Sequence, residues 1–238
     1  MEHEFTLQEN ERGAYFKLPA FKRIRHAFCT RAGEAGALEA LGGTPERLLT
    51  LRQVHGAEVL VVSDDTRTLA LAHPQPYDAV ITEKKNIALG IWTADCLPIL
   101  MADRAKKVIA AVHAGWRGIW RGVIERTVAE MTRTFQSVPA DIVAGIGPGI
   151  GPCCYEVKED VVSLFRNAYT AADQFIQERE GKMYLDLRSV AQLELTQAGI
   201  PFANIAVVNL CTSCQQDLFF SYRRENNAGR QLSFIVLK

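Results

Sequence analysis

Two apolar runs of strand length, Leu97–Met101 and Val108–Val112, each carry a metal-competent side chain at one end. Cys96 directly precedes the first, and His113 directly follows the second. If the runs pair as an antiparallel hairpin through the polar turn Asp103–Lys107, the start of one strand lies beside the end of the other, so thiol and imidazole share one rim. Pro98 is compatible because it falls at a strand start. A third donor is His55, in Arg52-Gln53-Val54-His55-Gly56, where Gly56 lets the backbone turn sharply. Two imidazoles and one thiolate from three elements suit a catalytic zinc ion with one position open. Without metal, the same residues make a Cys96 nucleophile with His113 as base and Asp95 orienting the imidazole. Spacing leaves both readings open, together with a third in which the cysteine and histidines merely pack.

Other residues offer weaker chemistry. Arg117 lies near the start of the helix after His113, where free N–H groups and a guanidinium fork would suit phosphate or carboxylate. Arg31, leaving the first strand, and Arg223-Arg224 could add donors. Cys211 and Cys214 with Cys153 and Cys154 suggest a second zinc site, but the adjacent pair departs from zinc-ribbon spacing, so packing or weak redox roles are expected. His26 should pack within its strand, and His3 and His73 should lie at the surface.

These residues need a frame. Strands are expected at Ile24–Cys29, Glu58–Val62, Asp78–Thr82, Ile87–Trp92, Asp141–Ile146, Ile205–Asn209 and Leu232–Leu237. A helix is expected from Thr44-Pro45-Glu46 through Leu48, Leu49 and Leu51 to His55-Gly56, and a long one from Trp116 to Phe135 supported by Arg121/Glu125 and Arg126/Glu130 pairs. Two more should cover Val157–Tyr169 and the stretch from the Asp186 cap to Gly199. Many strands, about four helices and no clean βαβ repeat argue for a layered mixed-sheet α+β architecture, with residues 1–238 as one domain.

Composition narrows the partners. The chain has 238 residues, 48% hydrophobic, and 27 basic against 27 acidic side chains. No overall basic field exists to hold nucleic acid or a membrane surface, so the expected partner is a small molecule. With no apolar leader or spanning stretch, and six cysteines that need no disulfide, the expected setting is the cytoplasm, with reduced thiols. Oligomeric state is not legible.

Five ordered motifs carry a resemblance. Gln53-Val54-His55-Gly56, Ala94-Asp95-Cys96-Leu97-Pro98, His113-Ala114-Gly115-Trp116-Arg117-Gly118, Gly151-Pro152-Cys153-Cys154-Tyr155-Glu156-Val157 and Phe220-Ser221-Tyr222-Arg223-Arg224 with Gly229-Arg230 resemble the YfiH-type family. It is variously called the laccase-domain, polyphenol oxidase, peptidoglycan editing factor or purine nucleoside phosphorylase family. The resemblance implies an α/β/β/α sandwich of the kind found in cytotoxic-necrotizing-factor-like toxins, and His55, Cys96 and His113 as zinc ligands. It also implies phosphorolysis of adenosine, inosine and methylthioadenosine, with adenosine deamination. Arg31, Gln53 and Arg117 become substrate-binding candidates, with Arg117 and Arg31 on phosphate. For deamination, zinc would acidify a water that attacks C6 of adenine, with Asp95 handling protons. A multicopper oxidase needs about eight imidazoles for its trinuclear cluster. Five histidines cannot build that, so copper at Cys96 would be adventitious. The alternative is a Cys96–His113 hydrolase acting on peptidoglycan precursors.

Overall fold

The computed structural model describes residues 4–11, 13–33, 36–37, 48–63, 76–226 and 229–238. The expected helix start at Thr44-Pro45-Glu46, His3 and His73 lie outside them. In chain order the strands β1 (Thr6–Asn10), β2 (Gly13–Lys17), β3 (Arg25–Cys29), β4 (Leu48–Thr50), β5 (Val59–Val62), β6 (Ala79–Thr82) and β7 (Ala88–Thr93) lead to the hairpin β8 (Leu97–Asp103) and β9 (Val108–Ala114). After it come α1 (Trp116–Trp120), α2 (Val123–Phe135), β10 (Ile142–Ile146), β11 (Glu156–Val157) and α3 (Glu159–Ala168). The chain closes with β12 (Ile176–Arg179), β13 (Lys182–Leu185), α4 (Leu187–Gln197), β14 (Ile205–Val207), α5 (Tyr222–Glu225) and β15 (Gln231–Val236).

Two six-stranded mixed sheets result, in the orders β1-β2-β3-β15-β7-β4 and β14-β10-β8-β9-β6-β5. The central hairpin explains why they stack. Along β8 and β9 every residue is buried, so both faces need cover. Leu100, Ala102, Ile109 and Ala111 face the first sheet and meet Leu89, Ile91 and Ile235. Their alternates Ile99, Met101, Ala110 and Val112 face Ile124, Val128 and Val190 on the helices. Each large side chain so buried contributes about 1.5–3 kcal/mol. On the far side of the first sheet, Tyr15, Ala27, Leu232 and Phe234 pack with Ala37. This is the layered mixed-sheet α+β architecture the pattern implied.

Three elements depart from expectation. Leu48–Thr50 is a strand, not a helix: it pairs in parallel with β7 and buries Leu49 between the sheets, so tertiary pairing overrides local helical spacing. The long helix is broken into α1 and α2 at Gly122, whose φ of 80° turns the chain where a side chain would be strained. The expected i,i+4 pairs give way to other partners: Arg121 donates to the His55 carbonyl, Arg126 reaches Glu58, and Glu130 binds Arg133. The Val157–Tyr169 helix starts at Glu159, with Glu156–Val157 forming β11 instead. Sequence reading also passed over β1–β2 and the β12–β13 hairpin, whose tip Glu180-Gly181 has positive φ at both residues, as a tight two-residue turn requires.

Elsewhere the local chemistry holds. Asp103 accepts from the N–H groups of Ala105 and Lys106 and closes the β8–β9 turn. Asp186 caps α4 by accepting from Arg188 and Ser189, worth about 1 kcal/mol. His26 packs, as expected for a strand histidine: Nδ1 donates to the Ile24 carbonyl while Nε2 accepts from Leu18 N–H.

Candidate metal centre

Hairpin register sets the first two donors. Leu97 pairs with Ala114 and Pro98 with His113, so Cys96 emerges beside the end of β9. The third, His55, arrives on the loop between β4 and β5, with a φ of 58°. Its ring centre stands 4.8 Å from that of His113, and the ligand atoms of His55, Cys96 and His113 all lie within 4.8 Å of one another. Gly115 leaves room for this meeting, because a Cβ there would sit 2.9 Å from the Cys96 Sγ and 3.0 Å from His55.

Asp78 organises the cluster, and sequence reading saw in it only the start of a strand. It is fully buried at the head of β6. Oδ1 takes Nδ1–H of His113 at 2.7 Å and the N–H of His55 at 2.9 Å, while Oδ2 takes the N–H groups of Gly56 and Val54 at 2.7 and 3.2 Å. Burial alone would raise the carboxyl's pKa, but His113 and these N–H groups hold it below the usual range. One carboxylate therefore fixes the His55 turn and the His113 tautomer together. His113 is left with Nε2 facing Cys96, the carboxylate–histidine arrangement that supports metal ligands.

The donors also polarise one another. Burial opposes charge on Cys96, yet His113 and His55 outweigh it and bring the thiol down to about 6. Burial likewise opposes charge on His113, but Cys96 and Asp78 carry it up to about 9. A soft thiolate and two imidazoles, one of them fixed by the Asp78 carboxylate, make a donor set that fits zinc.

The remaining candidates sit around this centre. Asp95, with a φ of 92°, uses Oδ1 to accept from Thr212 Oγ1 at 2.6 Å and Oδ2 to accept from Arg223 N–H at 2.7 Å. Gln53 is spent on the backbone of Trp92, donating to its carbonyl and accepting its N–H. Arg117 is exposed on α1 with its guanidinium over the Trp116 ring, 4.4 Å from its centre. Arg31 donates to the Gln216 carbonyl and stacks on Phe220. Tyr155 had no role in the sequence reading. Burial keeps its hydroxyl protonated, and the charges of Cys96, Arg223, Arg117 and Asp95 all reach it. Its signal was its place in a quoted motif, between Cys154 and Glu156.

A part-buried thiol–imidazole centre on the rim of a two-sheet α+β sandwich defines a class of metal-competent protein. The chain belongs to the family described as multi-copper polyphenol oxidoreductase laccase, whose sequence profile matches residues 30–238. It is 38% identical over 200 residues to the purine nucleoside phosphorylase YfiH of Shigella flexneri, covering 84% of this chain and 78% of that protein. It is 35% identical over 205 residues to an adenosine deaminase, RL5, from an unknown prokaryotic organism, covering 83% and 78%. Its fold matches the crystal structure of a hypothetical protein YfiH from Bacillus licheniformis with a TM-score of 0.89 and 28% identity, covering 98% and 99% of the two chains. These likenesses support an enzyme. No described helix is long and apolar enough to cross a membrane.

Proposed function

We propose that the chain is a zinc-dependent purine nucleoside enzyme. It cleaves adenosine, inosine and methylthioadenosine with phosphate, to free base and ribose 1-phosphate or its methylthio analogue, and it deaminates adenosine. The observation that carries this reading is the His55–Cys96–His113 cluster backed by buried Asp78, in a chain similar to proteins named for both activities. A zinc ion bound there supplies a Lewis acid able to polarise a phosphoryl oxygen or acidify water. Asp78 keeps His113 in the ligating tautomer. Arg117, exposed and placed over the Trp116 ring, offers a planar fork for phosphate, and Arg223 adds positive charge on the Tyr155 side. Phosphorolysis joins a phosphate oxygen to the anomeric carbon and breaks the bond to the base, which leaves needing a proton. Tyr155, held protonated, is the hydroxyl donor within electrostatic reach of the centre. Asp95 positions Thr212 and the start of α5.

Multicopper oxidation has little support, despite the family's description. Among the described residues the clusters of possible ligands are this triad and one of four cysteines, and neither offers the imidazoles of a trinuclear site. A second reading has a specific observation behind it: the Cys96–His113 contact that lowers the thiol would also serve a Cys hydrolase on peptidoglycan precursors.

Chromatography of adenosine with zinc-loaded protein, with and without phosphate, tests the proposal, using Cys96→Ala as the blank. Phosphate-dependent adenine, and inosine in either condition, should appear and vanish in the blank. No product above the blank would sink the purine reading. Activity spared by chelation but abolished by thiol alkylation would favour the hydrolase.

A further inference from the structure

The second cluster lies on two loops that meet in a single parallel β-bridge between Gly149 and Cys211. Cys153 and Cys154 follow the Gly147–Pro152 turn after β10, and Cys211 and Cys214 lie between β14 and α5. Sequence spacing set these residues aside, because an adjacent pair does not make a ribbon. The fold brings them together nonetheless. All four Sγ atoms lie within 4.8 Å of one another, with Cys214 at 3.5 Å from Cys153 and 3.4 Å from Cys154, and all four thiols are free.

We infer that Cys153, Cys154, Cys211 and Cys214 form a second metal site, taking one thiophilic divalent cation, zinc foremost. Tetrahedral zinc–thiolate bonds near 2.3 Å space the sulfurs about 3.8 Å apart, within the observed range. Disulfide sulfurs, at about 2.05 Å, are much closer than these contacts. On binding, each thiol releases its proton to solvent and donates an electron pair to the cation, leaving a site of net charge −2 with no oxidant needed.

The surroundings fit that charge. Arg188 donates to the Gly149 carbonyl, Arg179 to Pro152, Arg223 to Cys154, and Arg224 to both Thr212 and Ser213. Four guanidiniums thus point into the two loops. Gly151 N–H donates to Cys211 Sγ at 3.2 Å, a bond that favours a thiolate. Gly151 is closely packed as well: a Cβ would lie 2.5 Å from Nη2 at the movable end of Arg188 and 3.2 Å from Cys153 Sγ. Cys153 and Cys214 are exposed, which gives an ion its way in.

The consequence is mechanical. The cation ties the loop that continues into Tyr155 to the loop that carries Thr212, whose hydroxyl bonds Asp95. It acts as a clamp on one wall of the first centre, with all four positions filled by protein as in structural zinc sites.

Metal content of the full chain, purified under reductant with zinc supplied, tests this. Wild type should hold two zinc ions per chain, Cys96→Ala one, and Cys153→Ser/Cys214→Ser one. Cobalt-loaded Cys96→Ala protein should show the intense near-ultraviolet sulfur-to-cobalt band of a four-thiolate site. Because that variant leaves both loops intact, this readout does not depend on how the cysteine variants fold. A Cys96→Ala chain without bound metal would overturn the inference, as would a metal-free chain whose mass is two hydrogens light, marking a disulfide. Purine turnover is scored separately: its failure in wild type with two ions bound counts against the proposed function alone.

Discussion

The two clusters of possible ligands are built by opposite means. Cys96 and His113 stand at the ends of paired strands, and a single buried carboxylate, Asp78, sets the tautomer of one histidine and the turn of the other. The four cysteines lie on irregular loops, held by arginines that bond backbone carbonyls at the surface. The first offers three ligands on a preorganised frame, a number that would suit a catalytic ion with one position left open. The second supplies four sulfurs and suits a structural ion. The difference teaches that rigidity can come from regular pairing with one buried charge, or from many weaker bonds onto loops that a metal then locks.

The sharpest way to break this comparison is Asp78→Ala. It leaves three part-buried backbone N–H groups and the buried His113 Nδ1–H without their acceptor, so stability should fall by about 3 kcal/mol. Thermal unfolding read beside metal analysis should show the first ion lost and the four-cysteine ion retained in the folded fraction. Equal loss of both ions would mean that the centres are not independently built.

A pH series separates the fold from both centres through His26, which lies in β3. Burial lowers its pKa to about 4, against 6.5 when unfolded, because protonating Nε2 would break the bond from Leu18. The folded value is the lower, so the unfolded chain binds more protons between the two. The stability is full above pH 6.5 and is lost as pH falls toward 4, a change on the order of 3 kcal/mol. Urea unfolding across that window should show the slope, and His26→Gln should flatten it. An unchanged slope in the variant would place the acid sensitivity at the metal centres instead.

The smallest expected effects come from two glycines. Gly115→Ala pushes on Cys96 and His55 and should weaken the first ion by about tenfold, near 1.4 kcal/mol, leaving the second unchanged. Gly151→Ala meets the movable end of Arg188 and the Cys153 sulfur, and should weaken only the second ion, by less. Competition with a chromogenic chelator measures both, and a crossed result would dissolve the distinction between the two sites.

The legibility of the two centres differs for the same physical reason. Cys96 beside His113 was readable because hairpin pairing is local: two apolar runs and a polar turn fix which ends meet. Asp78 was readable as a strand start but not as the hub, since nothing in its neighbourhood reveals that its carboxylate faces a loop 22 to 24 residues earlier and a histidine 35 residues later. The segment Leu48–Thr50 misled because its spacing is helical while its partner β7 lies far along the chain. By itself, then, the sequence determined the layered α+β class, the central hairpin, the α4 cap and the thiol–imidazole pair, all of which follow from periodicity and neighbouring residues. Only the tertiary structure decided the break at Gly122, the hub at Asp78 and the meeting of Cys153 and Cys154 with Cys211 and Cys214. The break turns on the left-handed φ of one glycine, and the other two depend on contacts far apart in sequence, where no period exists to record which residues will touch.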